Sequence, residues 1–299
     1  MAKYVPDVKT QRWVIISSQR TKRPSDESPS AEASVGKKKE QDKIRVCPFC
    51  PGNEGMTPPE VYRIGGSENN GPGWDVRVVP NKFPITDIHE VIIHSPSDTD
   101  DIEELALPQV TKIFTAYRDR YRANQESGQV MIFCNHGLGA GASLVHPHSQ
   151  LVVVPNQINL DAVEMEPINN IVEENNHFMT YCPDFSQWPF ETWIAPKIHG
   201  KRFGEVTDEE LPDLAGVVQG ALKKIQFALS DKANVMLYPG GHFIYNYYIY
   251  HGNNWFIRII PRAIHRAGFE LGTGLSVNVV DPTRAAEMLN KSSLGKTIS

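Results

Sequence analysis

The stretch GAGASLVHPHSQLVVVP, residues 139–155, decides how this chain is read. A glycine- and alanine-rich turn leads into an apolar run, which predicts a strand from about Leu144 to Val154. Side chains at i, i+2 and i+4 of a strand point the same way, so His146, His148 and Gln150 share one face and Pro147 and Ser149 take the other. Pro147 has no N–H, which confines it to an edge or to the beginning of the strand. Two histidines and a glutamine on one face, directly after such a turn, point to a chemical site rather than to satisfied polar core. His148 suits nucleophilic attack on phosphorus, because neutral imidazole keeps a lone pair at physiological pH and a covalent intermediate splits one displacement into two. Gln150 can hydrogen-bond a non-bridging oxygen as charge develops there. Gly139, Gly141 and Ser143 offer amides and a hydroxyl for phosphate oxygens.

Working outward, VMIFCNHG (130–137) and HEVIIHSP (89–96) read as strands. Between them Pro108 suits a first helical turn, followed by Val110, Ile113, Phe114, Tyr117 and Tyr121 at helical spacing. The same order then recurs. FETWIAPKIH (190–199) is a strand, and Pro212 opens a helix with Leu214, Val218, Leu222, Ile225 and Leu229 on one face. FIYNYYIYHG (243–252) is a strand ending His-Gly like CNHG, and NNWFIRIIPR (253–262) is a strand that reaches a proline like HSQLVVVP. Helix starts at Pro108 and Pro212 set a period of about 105 residues, so a duplicated strand–helix–strand–strand unit is expected. QRWVIISS (11–18) reads as a further strand.

The chain has 299 residues, about two domains' worth at ~150 residues each, and 40% hydrophobic residues, enough for a packed core. Lys and Arg number 30 against 35 Asp and Glu, a formal charge of −5, which argues against a polycation built for nucleic acid. No apolar run approaches the ~20 residues of a membrane helix, and the start MAKYVPDVKT carries no apolar signal-peptide core. A cytoplasmic location is therefore expected, with neither nucleic acid nor membrane as partner. From Thr21 to Lys43 nearly half the positions are charged, which predicts a mobile loop, and the tail after Asn290 is expected to fray.

CPFCPGNE places Cys47 and Cys50 at zinc-ligand spacing. A zinc ribbon needs a second such pair and the chain has none. Either the pair is metal-free or its other ligands come from elsewhere, with His146 a candidate. Cys134 and Cys182 are solitary and read as buried small hydrophobes.

Taken together, WVIISSQRTKRP, CPFCPGNE, RVVPNKFP, HEVII-SP, NHG-GAGAS-HPHSQ, WPFETWIAPK and AGFELGTG resemble the galactose-1-phosphate uridylyltransferase family, a branch of the histidine-triad superfamily, from about residue 12 to residue 290. The resemblance implies an α+β fold of two histidine-triad-like halves, each a mainly antiparallel sheet with packed helices, pseudo-duplicated in one chain. Residues 1–155 would form the half with the zinc site and HPHSQ, and 156–299 the other. It also implies a homodimer with active sites at the subunit interface and ping-pong chemistry. His148 would attack the α-phosphorus of UDP-glucose and release glucose 1-phosphate, and galactose 1-phosphate would then take the uridylyl group. Gln150 would contact the phosphoryl group. Asn81, Asn135 and Ser143 match nucleotide-contacting positions, Arg20 and Arg23 match basic residues near the phosphates, and Phe269 and Glu270 match positions contacting the hexose. One structural zinc would use Cys47, Cys50, His146 and Asp98, the last standing where the family often has a histidine.

The family's second metal site is expected empty. Glu191 and His251 match two of its ligands, but Phe256 and Arg258 replace the other two. An arginine there restores the missing positive charge, so Arg258 is expected to pair with Glu191, with His251 beside them. The runner-up reading is an ADP-sugar or dinucleoside-polyphosphate phosphorylase, with adenylyl passing to phosphate. A non-catalytic zinc-containing nucleotide-binding protein is the third, and the intact HPHSQ argues against it, since a pure binder needs no nucleophile.

Overall fold

The computed structural model describes residues 3–7, 12–17, 46–158, 160, 168–230 and 243–291. The segment Thr21–Lys43, with Arg20 and the tail beyond 291, lies outside the described residues; so does Arg23. A hairpin of β1 (Lys3–Asp7) and β2 (Arg12–Ile16) stands apart as a two-stranded sheet. The body is one ten-stranded sheet.

In chain order its first half is β3 (Tyr62–Ile64), β4 (Val76–Pro80), β5 (His89–Ile93), helix α1 (Leu107–Asn124), β6 (Gln129–His136) and β7 (His148–Val154). The second half repeats that order with β8 (Ile171–Glu174), β9 (Phe178–Tyr181), β10 (Thr192–Pro196), α2 (Glu210–Ser230), β11 (Tyr245–Ile249) and β12 (Ile257–Pro261). Two short helices, α3 (Gly268–Thr273) and α4 (Pro282–Lys291), follow. The strand order is β3-β4-β5-β7-β6-β11-β12-β10-β9-β8, antiparallel throughout. Each half therefore has the same internal order, and the halves meet through β6 and β11, with Asn135 opposite Asn246. The expected α+β fold of two duplicated halves is what forms.

Register fixes which positions correspond. Gln150 lies between Val91 of β5 and Phe133 of β6, and Arg258 lies between Trp193 of β10 and Tyr248 of β11. The residues two positions earlier on the same strands then correspond too: His89 to Glu191, and His148 to Phe256.

Both long helices cover one face of the sheet. Val110, Ile113, Phe114 and Tyr117 of α1, with Leu214, Val218, Leu222 and Ile225 of α2, pack on Ile92, Ile132, Leu151, Ile194, Ile257 and Ile259. Each such side chain, fully buried, contributes ~1.5–3 kcal/mol of transfer free energy. The first turns of both helices hold the prolines that the sequence placed there. On the other face, β4 and β5 carry Val79, Val91 and Ile93 under Phe49 and Trp74. The second half carries Tyr181, Trp193, Ala195 and Phe256 there.

The strand expected from Leu144 begins only at His148. Pro147 cannot donate, and its carbonyl instead accepts the His94 N–H at 3.2 Å. Leu144, Val145 and His146 therefore belong to the connection, and Val145 is exposed. That connection opens at Gly137, whose φ of 83° and contact with the Ile244 side chain leave no room for a Cβ.

Candidate active site

His148 is the first residue of β7, buried, and it lines a cavity of about 660 Å³. That volume is typical of small-molecule sites. Its Nδ1 donates to the His146 carbonyl at 2.8 Å. The neutral ring has one N–H, so Nε2 keeps its lone pair. Burial is the main force pulling His148 down to about 4, with the neighbouring His94 and His146 adding to it against the His146 carbonyl. The ring is neutral at pH 7. The edge of Phe49 packs on it at 5.3 Å between centroids.

Gln150 also lines the cavity, and its Oε1 lies 2.9 Å from His89 Nε2. Asn81 and Ser143 line it too, and the Phe83 N–H donates to Asn81 Oδ1 at 2.8 Å. Asn135 sits one position past the Cys134–Ser149 pair and accepts a hydrogen bond from Asn246 Nδ2 at 2.8 Å, without lining the cavity. The amide of Gly141 is engaged within the turn, donating to Leu138 O at 2.9 Å, so it is not the phosphate donor expected from the sequence.

Behind β7, on the helix side, is a buried polar cluster that the sequence did not disclose. His94 Nδ1 meets Asp101 Oδ1 at 2.6 Å, and its Nε2 meets Ser149 Oγ at 2.7 Å and Tyr117 Oη at 2.9 Å. His136 Nδ1 meets the other Asp101 oxygen at 2.8 Å. Ser149 thus anchors the strand between His148 and Gln150. Burial would raise the Asp101 carboxyl, but His94 and His136 hold it well below the usual carboxylate range.

The zinc-type donors converge at one edge of the cavity. His146 Nδ1 lies 3.6 Å from Cys47 Sγ and 3.5 Å from Cys50 Sγ, and the three donor atoms all lie within 4.8 Å of one another. The edges of a tetrahedral zinc site with bonds of ~2.0–2.3 Å are of that size. His146 Nε2 faces the Ser95 carbonyl at 2.9 Å, which directs the lone pair of Nδ1 at the thiols. Asp98 Oδ2 approaches Cys50 Sγ at 3.9 Å and stands outside that tighter group. Burial first, then Cys47 and Asp98, push the Cys50 thiol up to about 12; burial would also raise Cys47, but its contacts with His146, the Phe49 amide and Cys50 outweigh burial and lower it. Two crowded thiols that cannot both ionise alone are a donor set suited to a divalent cation.

Phe269 and Glu270 lie on α3, away from the cavity. Phe269 is exposed, and Glu270 Oε2 accepts the Ala267 N–H at 3.0 Å.

In the second half, Arg258 Nη2 donates to Glu191 Oε2 at 3.0 Å and Arg258 Nε stands 2.8 Å from Oε1, so the expected pair is formed. Trp193 Nε1 and the Gln187 amide complete the ring of donors around the carboxylate. Trp193, Phe256 and Tyr250 stack in series at 4.0 and 5.0 Å. His251 packs on Tyr250, and among the described residues its buried Nδ1 has no hydrogen-bond partner, Glu191 and Arg258 included.

A sequence model described as galactose-1-phosphate uridyl transferase, C-terminal domain, matches residues 97–236. The chain is 29% identical to ADP-glucose phosphorylase of Arabidopsis thaliana over 96% of this chain and 92% of the relative. It is 24% identical to galactose-1-phosphate uridylyltransferase of Thermotoga maritima over 94% and 96%. The crystal structure of the Arabidopsis thaliana ADP-glucose phosphorylase with bound ADP-glucose superposes with a TM-score of 0.69 and 26% identity, covering 97% of this chain and 99% of that one. The chain is thus similar to the galactose-1-phosphate uridylyltransferase family. The relatives carry two reaction names, galactose-1-phosphate uridylyltransferase and ADP-glucose phosphorylase. Among the described residues no helix is long and apolar enough to cross a membrane.

His89 and Phe49 are the site residues that the sequence reading missed. His89 opens HEVII and in sequence is only a strand end; Phe49 stands between the two cysteines of CPFC.

Proposed function

We propose that the chain transfers a nucleotidyl group from a nucleotide sugar through a covalent His148 intermediate. The observation that carries this is the locked tautomer of His148, with Nδ1 on the His146 carbonyl and the Nε2 lone pair left for the cavity. Nε2 attacks the α-phosphorus, the bond from that phosphorus to the bridging oxygen breaks, and the sugar 1-phosphate leaves with the electron pair. An acceptor oxygen then attacks the same phosphorus and frees the imidazole. Gln150 and Asn81 hold the non-bridging oxygens, and Ser143 lies within the same pocket.

The preferred donor is ADP-glucose with inorganic phosphate as acceptor, giving ADP and glucose 1-phosphate. The similarity to the Arabidopsis thaliana enzyme, extending over nearly the whole of both chains, supports it. Transfer of UMP from UDP-glucose to galactose 1-phosphate is the second reading, supported by the Thermotoga maritima relative and by the matching domain.

Cys47, Cys50 and His146, with Asp98 after a small side-chain adjustment, would hold one structural zinc. Bound there, it would tie the Cys47–Cys50 turn and Phe49 to the connection before His148. The chain, built of halves 1–155 and 156–299, is proposed to act in the cytoplasm as a homodimer, a second copy supplying Phe269 and Glu270 to the cavity, with Arg20 and Arg23 serving the phosphates. The test is consumption of ADP-glucose and of UDP-glucose, each with phosphate or galactose 1-phosphate. Phosphate-dependent release of glucose 1-phosphate from ADP-glucose is expected. Turnover only of UDP-glucose with galactose 1-phosphate would select the second reading, and no turnover of either would reject transfer.

A further inference from the structure

We infer that His89 is a positioning residue for this transfer, setting which end of the Gln150 amide faces the reacting phosphoryl group. The inference rests on the His148 reading above. His89 is the first residue of β5 and is 4% exposed. The Ile85 main-chain N–H points at its Nδ1 across 3.1 Å. That nitrogen must then be an acceptor, which excludes the imidazolium and leaves the single ring N–H on Nε2. Nε2 stands 2.9 Å from Gln150 Oε1, so the ring donates and the oxygen end of the amide is held on His89. The amide N–H₂ of Gln150 is the end left for a ligand.

Asn81 is set by the backbone instead: its Oδ1 accepts the Phe83 N–H, which leaves Nδ2, 3.1 Å from His89 Nε2, as its donor end. The Gln150 carboxamide then offers donors, and no lone pair, to the cavity it lines, where anionic phosphoryl oxygens would sit. That amide turned over would instead put an acceptor against a developing negative charge, and terminal amides choose their orientation from just such partners. His89 decides this without touching substrate. The second half uses the matching positions in the same way, Glu191 gripping Arg258 where His89 grips Gln150.

The test is single-turnover formation of the nucleotidyl-enzyme with saturating ADP-glucose, and in parallel UDP-glucose, in the full-length protein. His89→Phe keeps the ring and removes the donor. It is expected to slow adduct formation about 10- to 100-fold, part of what loss of one transition-state donor costs, with KM changed less than about threefold. His89→Gln places an N–H near the imidazole Nε2 and is expected to recover most of the rate. In a Gln150→Ala background, His89→Phe is expected to cost less than about twofold more, because its effect passes through that amide. Wild-type rates in His89→Phe, equal losses in His89→Phe and His89→Gln, or the same loss in both backgrounds would each overturn the inference. If His89→Phe does not fold, His89→Asn, too short to reach Gln150, supplies the same comparison. A wild-type protein that forms no adduct would reject the His148 reading and this inference with it, whereas normal wild-type labelling with unaltered His89 variants rejects only the latter.

Discussion

The open faces of the two halves occupy the same strand frame and do opposite things. In the first half, His89 holds Gln150 by a neutral hydrogen bond and His148 is tied to the His146 carbonyl, with His148 and Gln150 at the wall of a cavity. In the second, Glu191, Phe256 and Arg258 fill the corresponding positions with an ion pair sealed beside stacked rings. The difference shows that the duplicated frame supplies positions, not chemistry. A nucleophile needs a neutral ring with one nitrogen tied back and the other open. A buried carboxylate needs a counter-charge, and Arg258 provides it.

The largest expected effect tests that contrast at its centre. His148→Asn should lower nucleotidyl transfer by at least ~10³-fold with the fold retained, since the covalent route is lost. Phe256→His restores an imidazole at the matching place without a cavity or a tied-back nitrogen. In the His148→Asn background it is expected to recover no transfer in the same assay. Recovery would break the contrast between the halves.

Next is the cost of opening the ion pair. Arg258→Ala is expected to destabilise the chain by ~3–5 kcal/mol in urea unfolding, because Glu191 is left buried without its cation. Glu191→Gln combined with Arg258→Met should cost less than the two single changes summed. Additive losses would mean that the pair is not a unit.

The smallest effect lies behind the sheet. In the second half Phe178 and Phe203 pack on Trp255 there, while the first half holds Asp101, Glu103, His94 and His136. Burial first, then Asp101, raise the Glu103 carboxyl from 4.5 to about 7. Hydrogen bonding to Asp101 overcomes burial and raises His136 above 6.5. In both cases the folded protein binds the proton more tightly. The stability they contribute is full below the unfolded pKa values and is lost as pH rises, between 4.5 and about 7 for Glu103 and above 6.5 for His136. Asp101 acts the other way, its contribution being lost as pH falls below 3.8. His148, pulled down to about 4, also opposes Glu103 and His136 below 6.5, so the Glu103 contribution is read as a difference: the Tm of Glu103→Gln relative to the wild type should rise by several degrees from about pH 5 to about pH 7. A difference that falls over this range would contradict the sign.

The duplication and both long helices were legible because apolar periodicity and prolines mark them locally. HPHSQ and CPFC were legible because their spacing is the chemistry. Short elements were not: β3 and β8, of three and four residues, are partly exposed and carry too little pattern. The strand start at His148 escaped because the apolar residues Leu144 and Val145 imitate a strand that Pro147 interrupts. His94, Asp101 and His136 escaped because their contacts join residues far apart in the chain, and TDDIEE reads locally as a charged loop. His89 escaped for the same reason, its partner Gln150 lying two strands later in the chain.

The central claim is that the His148 Nε2 lone pair forms a bond to phosphorus. Intact-mass measurement after incubation with ADP-glucose or UDP-glucose alone, without acceptor, tests it directly. The account predicts one nucleotidyl group per chain, acid-labile, located on His148 and discharged when acceptor is added. Acceptor-dependent consumption of donor with no such adduct, or an adduct that persists in His148→Asn, would contradict it.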